Sequence, residues 1–305
     1  MTEPQATRRC GFVAILGAPN AGKSTLLNRL VGTKVSIVTD KVQTTRRRIL
    51  GITVQGDAQL AFIDTPGIFT PRPGRQLEQA MVRAAWRGAE DADRRLLLVD
   101  ARRGLDRDTR GILEGLRERR LRAIVAINKV DLVAPPKTLP LIAELDRSGV
   151  LDEVFIISAL TGDGCEDLLQ RLLATLPAGP WLFPEDELSD LSQRAMAAEI
   201  TREKLFRELH QELPYSLTVE TEAWTPSEDG AELRIDQTIY VQRPSQKAIV
   251  LGKGGHQIKA VGQAAREELA QILETRVHLF LFVKVRERWT EDPERYRELG
   301  IEFPG

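Results

Sequence analysis

Short apolar runs alternate with amphipathic stretches from Arg9 to about Leu176, and that alternation sets the architecture of the first half of the chain. Gly11 to Leu16, Gln59 to Ile63, Arg95 to Val99, Ala123 to Ile127 and Val154 to Ile157 have the length and composition of buried strands, each followed by a loop and a helix-like segment. The rhythm predicts an α/β layer fold with a mostly parallel, doubly wound sheet. Ligands in such sheets bind beyond the carboxyl ends of the strands, and the chemically suggestive residues here all come directly after these runs. At Leu176 to Pro184, LPAGPWLFP, three prolines and a glycine break any continuing helix.

The pattern then changes. Leu191 to Leu213 has helical periodicity, and Tyr215 to Thr225 and Glu232 to Gln242 read as strands around a turn at Pro226 to Gly230. Ser245 to Leu251 is a short helix, Gln257 to Glu274 a longer one, and Arg276 to Val285 a final strand. The order α-β-β-α-α-β indicates a second, α+β domain. The predicted division is a first domain over 1–176, a linker over 177–190, a second domain over 191–285 and a tail over 286–305.

Composition narrows the class without deciding it. With 42% hydrophobic and 29% charged residues in 305, the chain reads as globular, and two domains of this size each bury a core. The net charge of -1 does not advertise a polyanion partner, although a local basic face is compatible with it. Cys10 and Cys165 have no metal-ligand spacing, which points to a reducing compartment without a disulfide framework and so to the cytoplasm. No apolar run reaches roughly 18 residues, so no spanning helix is expected, while peripheral attachment to the inner face of the membrane stays open.

Gly17, Ala18, Pro19, Asn20, Ala21, Gly22, Lys23 and Ser24 fit G-x-x-x-x-G-K-S between a predicted strand and a helix starting near Lys23, with Thr25 next in line. Glycines let the backbone wrap phosphate oxygens, and amide N–H groups and the helix N-terminus offset their charge. Lys23 would reach the β and γ phosphates and the Ser24 hydroxyl would bind Mg²⁺. This motif alone does not separate ATP from GTP. Asn128, Lys129, Val130 and Asp131, NKVD, about 100 residues later, make the separation. The Asp131 carboxylate accepts from both N1–H and the 2-amino group of guanine, whereas adenine offers neither donor. Unmatched polar groups of that kind discriminate by roughly 10⁴-fold or more. Asn128 is suited to brace neighbouring loops, and the Lys129 stem to lie along the base.

Asp64, Thr65, Pro66 and Gly67, DTPG, supply a carboxylate for the Mg²⁺ shell and a Gly67 amide to sense a γ-phosphate, with Ile68 following. A plain turn is the simpler reading of DTPG by itself; its spacing from the other motifs favours the site. Ser158, Ala159 and Leu160, SAL, follow another strand and offer backbone amides to the guanine carbonyl.

Together these segments resemble the motifs of translation-factor-like GTPases. The resemblance implies a switch threonine within Val35 to Arg48, VSIVTDKVQTTRRR, that binds Mg²⁺ and the γ-phosphate. Thr45, directly before Arg46, is preferred, with Thr44 as the alternative, so Lys23, Thr45 and Gly67 become the catalytic set. Ile68 stands where Ras-like proteins carry a water-orienting glutamine, and an alkyl chain cannot orient water, so slow intrinsic hydrolysis is expected. Similarity to Pro-Asn phosphate loops implies that Asn20 helps hold a monovalent cation, K⁺; a loop-bracing role is the alternative.

In the second domain Gly252, Lys253, Gly254 and Gly255, GKGG, lie between two helices after the β-β pair, where a type II KH domain places its G-x-x-G loop. Such a loop lets a nucleotide backbone approach peptide N–H groups beside an apolar groove for unpaired bases. Lys253 and Lys259 add cationic contacts and His256 a further candidate, while Ile249, Val250, Leu251, Ile258 and Val261 divide between groove and core. Arg243 and Lys247 either adjoin the groove or belong to an ordinary charged helix face. A GTPase followed by a KH module resembles the bacterial Era family. QTTR, DTPG, MAAEITREK (Met196 to Lys204), ELPYS (Glu212 to Ser216) and ERWTEDPERYRELG (Glu287 to Gly300) carry that resemblance over nearly the whole chain, with a departure at DLSQRA (Asp190 to Ala195).

The resemblance implies an α/β P-loop GTPase domain followed by an α+β type II KH domain, with GTP and GDP as ligands. It also implies binding to the 3′ end of 16S ribosomal RNA, a role in small (30S) ribosomal subunit maturation, and a monomer. Two rivals are a GTPase that drives RNA modification and a GTP-regulated sensor that docks to proteins or membrane through the KH-like surface.

Overall fold

Residues 8–39, 49–71, 76–209, 217–287 and 302 are described by the structure, a computed structural model. By contacts the chain divides into Met1–Asp190 with Arg297–Gly305, and Leu191–Tyr296.

In the first unit the strands are β1 (Arg9–Gly17), β2 (Ile49–Gln55), β3 (Ala58–Asp64), β4 (Arg94–Asp100), β5 (Ala123–Asn128) and β6 (Leu151–Ile156). The helices are α1 (Lys23–Val31), α2 (Gln76–Asp91), α3 (Arg107–Glu118), α4 (Thr138–Asp146) and α5 (Cys165–Ala174). The six-stranded sheet runs β2-β3-β1-β4-β5-β6, parallel except for the antiparallel β2–β3 pair. Successive strand side chains point to opposite faces. Val13, Ile15, Leu60, Phe62, Leu96 and Leu98 therefore pack with Leu26, Leu27 and Leu30 of α1 and Leu168, Leu169 and Leu172 of α5. Ala14, Leu16, Ile63, Leu97, Val99, Val125 and Ile127 pack with α2, α3 and α4 on the other side. All the parallel strands end on the same edge, where the phosphate and guanine motifs emerge.

Strand β2 was not predicted. Its apolar positions Ile49, Leu50 and Ile52 follow an arginine run and are interrupted by Gly51 and Thr53, so the segment carries neither a continuous apolar run nor a turn signal before it.

The second unit contains α6 (Gln193–Glu208), β7 (Leu217–Pro226), β8 (Glu232–Val241), α7 (Pro244–Leu251), α8 (His256–Ile272) and β9 (Arg276–Val285). This is the α-β-β-α-α-β order read from the sequence. The sheet order is β7-β8-β9, with β7 antiparallel and β9 parallel to β8. Leu217, Val219, Ile239, Val241 and Val283 meet Ala198 and Leu205 of α6, Val250 of α7 and Val261 of α8, and Leu233, Ile235 and Val277 meet Ala265 and Leu269.

Candidate active site and nucleic-acid interface

The loop after β1 turns its peptide groups by left-handed backbone at Asn20 (φ 64°) and Gly22 (φ 100°) before α1 begins at Lys23. Its carbonyls are held from outside. Lys23 Nζ donates to Gly17 O and Ala18 O, both at 3.1 Å. Arg103 Nη1 donates to Pro19 O (3.1 Å), Lys129 Nζ to Asn20 O (2.6 Å) and Asn128 Nδ2 to Ala21 O (2.8 Å). Thus NKVD positions the phosphate loop as well as standing next to it. Lys23 is only 7% exposed, and burial, partly offset by Asp64 and reinforced by Lys129, lowers its pKa to about 8. A triphosphate placed against that ammonium would favour its charged form.

Asp64 closes β3 fully buried, and its Oδ2 accepts from Ser24 Oγ (3.2 Å) and Ser36 Oγ (2.9 Å). A hydroxyl and a carboxylate beside the phosphate-loop lysine form a hard, all-oxygen donor set, which fits Mg²⁺ shared with phosphates. Thr65 Oγ1 donates to Ile15 O at 2.8 Å, and the Ile68 N–H donates to Gly17 O at 3.2 Å, so the DTPG loop lies on the phosphate loop. A Cβ on Gly67 would come within 3.1 Å of Pro19 N, which is why this position takes glycine. Ile68 is buried. Thr44 and Thr45 lie outside the described residues.

Asn128 Oδ1 accepts the Ala159 N–H at 2.9 Å, and the Ser158 N–H goes to Asp163 O at 2.9 Å. Of the three amides expected to face guanine, those of Ser158 and Ala159 are thus engaged within the protein, because Asn128 and the turn at Asp163 hold the loop in place. Among the described residues the Leu160 amide has no hydrogen-bond partner within the protein. Asp131 is exposed on a short 3₁₀ turn after Lys129, whose own backbone is left-handed at φ 66°, and Val130 precedes it in that turn.

Several contributors were not legible in the sequence. Asp100 ends β4, receives the Lys129 ammonium at 2.7 Å and accepts the Arg102 N–H at 2.9 Å. Arg29 donates to Ala159 O (2.7 Å) and Leu160 O (2.6 Å), and Asn28 Oδ1 accepts the Val35 and Ser36 amides, both at 2.9 Å. An Asp at a strand end gave a weak signal; a helical Arg and Asn gave none.

In the second unit, Gly252 (φ 72°), Gly254 (φ 62°) and Gly255 (φ 76°) turn the chain from α7 into α8. A side chain on Gly254 or Gly255 would meet nothing within 4 Å, so this turn presents bare backbone outward. Lys253, His256 and Lys259 are exposed around it, as is Ile249, whereas Val250 and Val261 belong to the core. Beyond it Ile258, Lys259, Gly262 and Arg266 of α8 and Leu279 to Leu281 of β9 line a groove of about 360 Å³. The sequence reading missed its β9 wall and Arg266. Phe280, 44% exposed with the Arg234 guanidinium 4.7 Å from its ring centre, was legible only as a strand residue.

A sequence-family model described as "50S ribosome-binding GTPase" matches residues 12–129, and a KH-domain model matches 212–290. GTPase Era of Brucella suis is 56% identical over 303 residues, 99% of this chain and 96% of its own. GTPase Era of Mesorhizobium japonicum is 60% identical over 294 residues, 96% and 94% of the two chains. The chain belongs to the GTPase Era family. Two solved Era structures superpose with a TM-score of 0.90 at 41% identity, covering 96% of this chain and 99% of theirs. One is an Aquifex aeolicus Era variant bound to GDP and AlF₄⁻; the other is Era in complex with MgGDPNP and nucleotides 1506–1542 of 16S ribosomal RNA. The Era-type phosphate and guanine loops described above therefore belong to a GTPase, and the second unit is its KH domain.

Proposed function

We propose that this GTPase is a switch whose GTP-bound form binds the 3′ end of 16S ribosomal RNA and assists maturation of the small (30S) subunit. The observation that carries the reading is the open GKGG turn beside the α8–β9 groove, a combination suited to single-stranded RNA. The Era complex with a 16S fragment and a GTP analogue supports the same reading. In the G domain the loop amides, Lys23 and Gly67 take the phosphates, Asp131 reads guanine, and Ser24, Asp64 and Thr45 hold Mg²⁺. When bound, that ion neutralises charge on the β and γ oxygens.

The finer parts of the proposal are K⁺ at Asn20, a monomeric state and peripheral membrane association in addition to a cytoplasmic pool. Each has its own measurement: hydrolysis in K⁺ against Na⁺ with Asn20→Ala as control, sedimentation, and flotation with anionic vesicles.

The decisive test of the RNA site is Gly254→Asp, which sets a carboxylate in open space; because the backbone there is left-handed (φ 62°), Gly254→Asn is the control that carries the same backbone strain without the charge. The affinity of Gly254→Asp for a single-stranded 16S 3′-end oligonucleotide should fall at least ten-fold while GTP hydrolysis is unchanged. Wild-type binding should also weaken as salt rises. Unaltered RNA affinity would leave the KH-like surface to a protein or membrane partner and refute the proposal.

A further inference from the structure

Amides that turn inward to wrap a phosphate force the carbonyls of the same peptides outward, so a phosphate loop keeps its shape only if those carbonyls have partners. Here every carbonyl from Gly17 to Ala21 has one. Lys23 holds the first two, and the NKVD motif supplies Lys129 and Asn128 for Asn20 and Ala21. The remaining one, Pro19 O, is held by Arg103, which belongs to none of the nucleotide motifs. Pro19 sits at the corner against Gly67, whose missing Cβ would lie 3.1 Å from Pro19 N and 3.2 Å from its Cα. Arg103 therefore acts on the corner of the loop that packs against Gly67 of the γ-phosphate-sensing DTPG segment.

Arg103 is itself held in place. Its backbone N–H donates to Asp100 O at 3.1 Å, and Gly104 N–H to the same carbonyl at 2.9 Å, which fixes the turn after β4. Its Nε lies 3.3 Å from Asp106 Oδ2, while Asp106 Oδ1 caps α3 through the Thr109 N–H at 2.9 Å. The guanidinium thus bridges the N-terminus of α3 and the apex of the phosphate loop. Its side chain is 48% exposed, so it contributes little to the core.

We propose that Arg103 is a positioning residue for GTP hydrolysis: by holding the Pro19 carbonyl it fixes the Pro19–Asn20 apex against Gly67. Ile68 cannot orient water, so the reaction leans more heavily on how rigidly the remaining loop groups are placed. An apex that wanders penalises the transition state more than ground-state binding, most of which comes from the rest of the loop, Lys23 and Asp131. The kinetic signature is a lower kcat with KM nearly constant.

The test compares wild type with Arg103→Gln, Arg103→Lys and Asp106→Asn in steady-state GTP hydrolysis, with GDP affinity and melting temperature measured in parallel. Arg103→Gln should lower kcat roughly ten-fold with KM and GDP affinity within about two-fold. Arg103→Lys keeps a charged donor for Pro19 O and should restore most of the rate. Asp106→Asn keeps an acceptor for the Thr109 cap and should give an intermediate kcat at unchanged melting temperature. An unchanged kcat in Arg103→Gln, a change confined to KM, or Arg103→Lys as slow as Arg103→Gln would overturn the assignment.

Discussion

Asn128 joins two loops through one amide: Nδ2 donates to Ala21 O and Oδ1 accepts from Ala159 N, in a site where the residue is 1% exposed. Asn128→Ala would strand both backbone groups, at about 1–3 kcal/mol each. Thermal unfolding of the nucleotide-free variant should register that loss, and GDP affinity should fall with it. Gly22→Ala tests the same junction from the other side, because its Cβ would lie 2.3 Å from Asn128 Nδ2 and the backbone there is left-handed; nucleotide binding should be lost before the fold is.

Lys23 gives a pH prediction. Its pKa falls from 10.5 to about 8 on folding, through burial first. The unfolded chain then binds more protons than the folded one between about pH 8 and 10.5, so this group makes stability rise with pH across that window. Below it the buried cation is a fixed cost. Lys23→Met should therefore abolish GTP binding and remove the rise in stability of the nucleotide-free protein between about pH 8 and 10.5; a variant whose stability follows the wild type's pH profile across that window would contradict the burial argument. At this scale the sequence was legible where chemistry demands a fixed spacing, as in GAPNAGKS and NKVD. It was silent where a common residue acts on the backbone, as Arg29, Asn28 and Arg103 do.

Elements raise a different question, because the segment read as a linker over 177–190 is fastened to the first unit. Gln59 lies at the start of β3, fully buried, and its Oε1 accepts the Leu182 and Phe183 amides at 2.8 and 3.0 Å while Nε2 donates to Phe183 O at 2.8 Å. Trp181 Nε1 donates to Asp57 O at 3.1 Å, and the Phe183 ring meets Phe12 edge-on with centroids 6.3 Å apart. Farther along, the Ile52 N–H donates to Leu188 O and the Leu50 N–H to Asp190 Oδ1, so the strap satisfies the outer edge of β2. Gln59→Leu removes the partners of three backbone groups at once. Its melting temperature should drop, with a proteolytic cut within 177–190 appearing at protease levels the wild type survives.

The prolines and glycine of LPAGPWLFP correctly ruled out helix, but nothing in them said where the segment docks. That information sits in a glutamine which reads as an ordinary polar strand residue. Strand β2 was hidden for a related reason: its stability comes from β3 on one edge and Leu188 to Asp190 on the other, more than from its own pattern.

For the molecule as a whole, the α/β and α-β-β-α-α-β rhythms were legible because each unit's core follows from local periodicity. The coupling between a GTP site and an RNA site has no local signature at all. It is a thermodynamic statement: if GTP strengthens RNA binding by some factor, RNA strengthens GTP binding by the same factor. Cys10 and Cys165 form no disulfide and are buried, and burial raises both thiol pKa values. The most direct measurement is the dissociation constant of the full chain for a single-stranded 16S 3′-end oligonucleotide, with Mg²⁺ and either GDP or GDPNP at saturation. The account predicts tighter binding with GDPNP by at least about five-fold, matched by an equal gain in GDPNP affinity when RNA saturates. Equal RNA affinity in the two nucleotide states would contradict it.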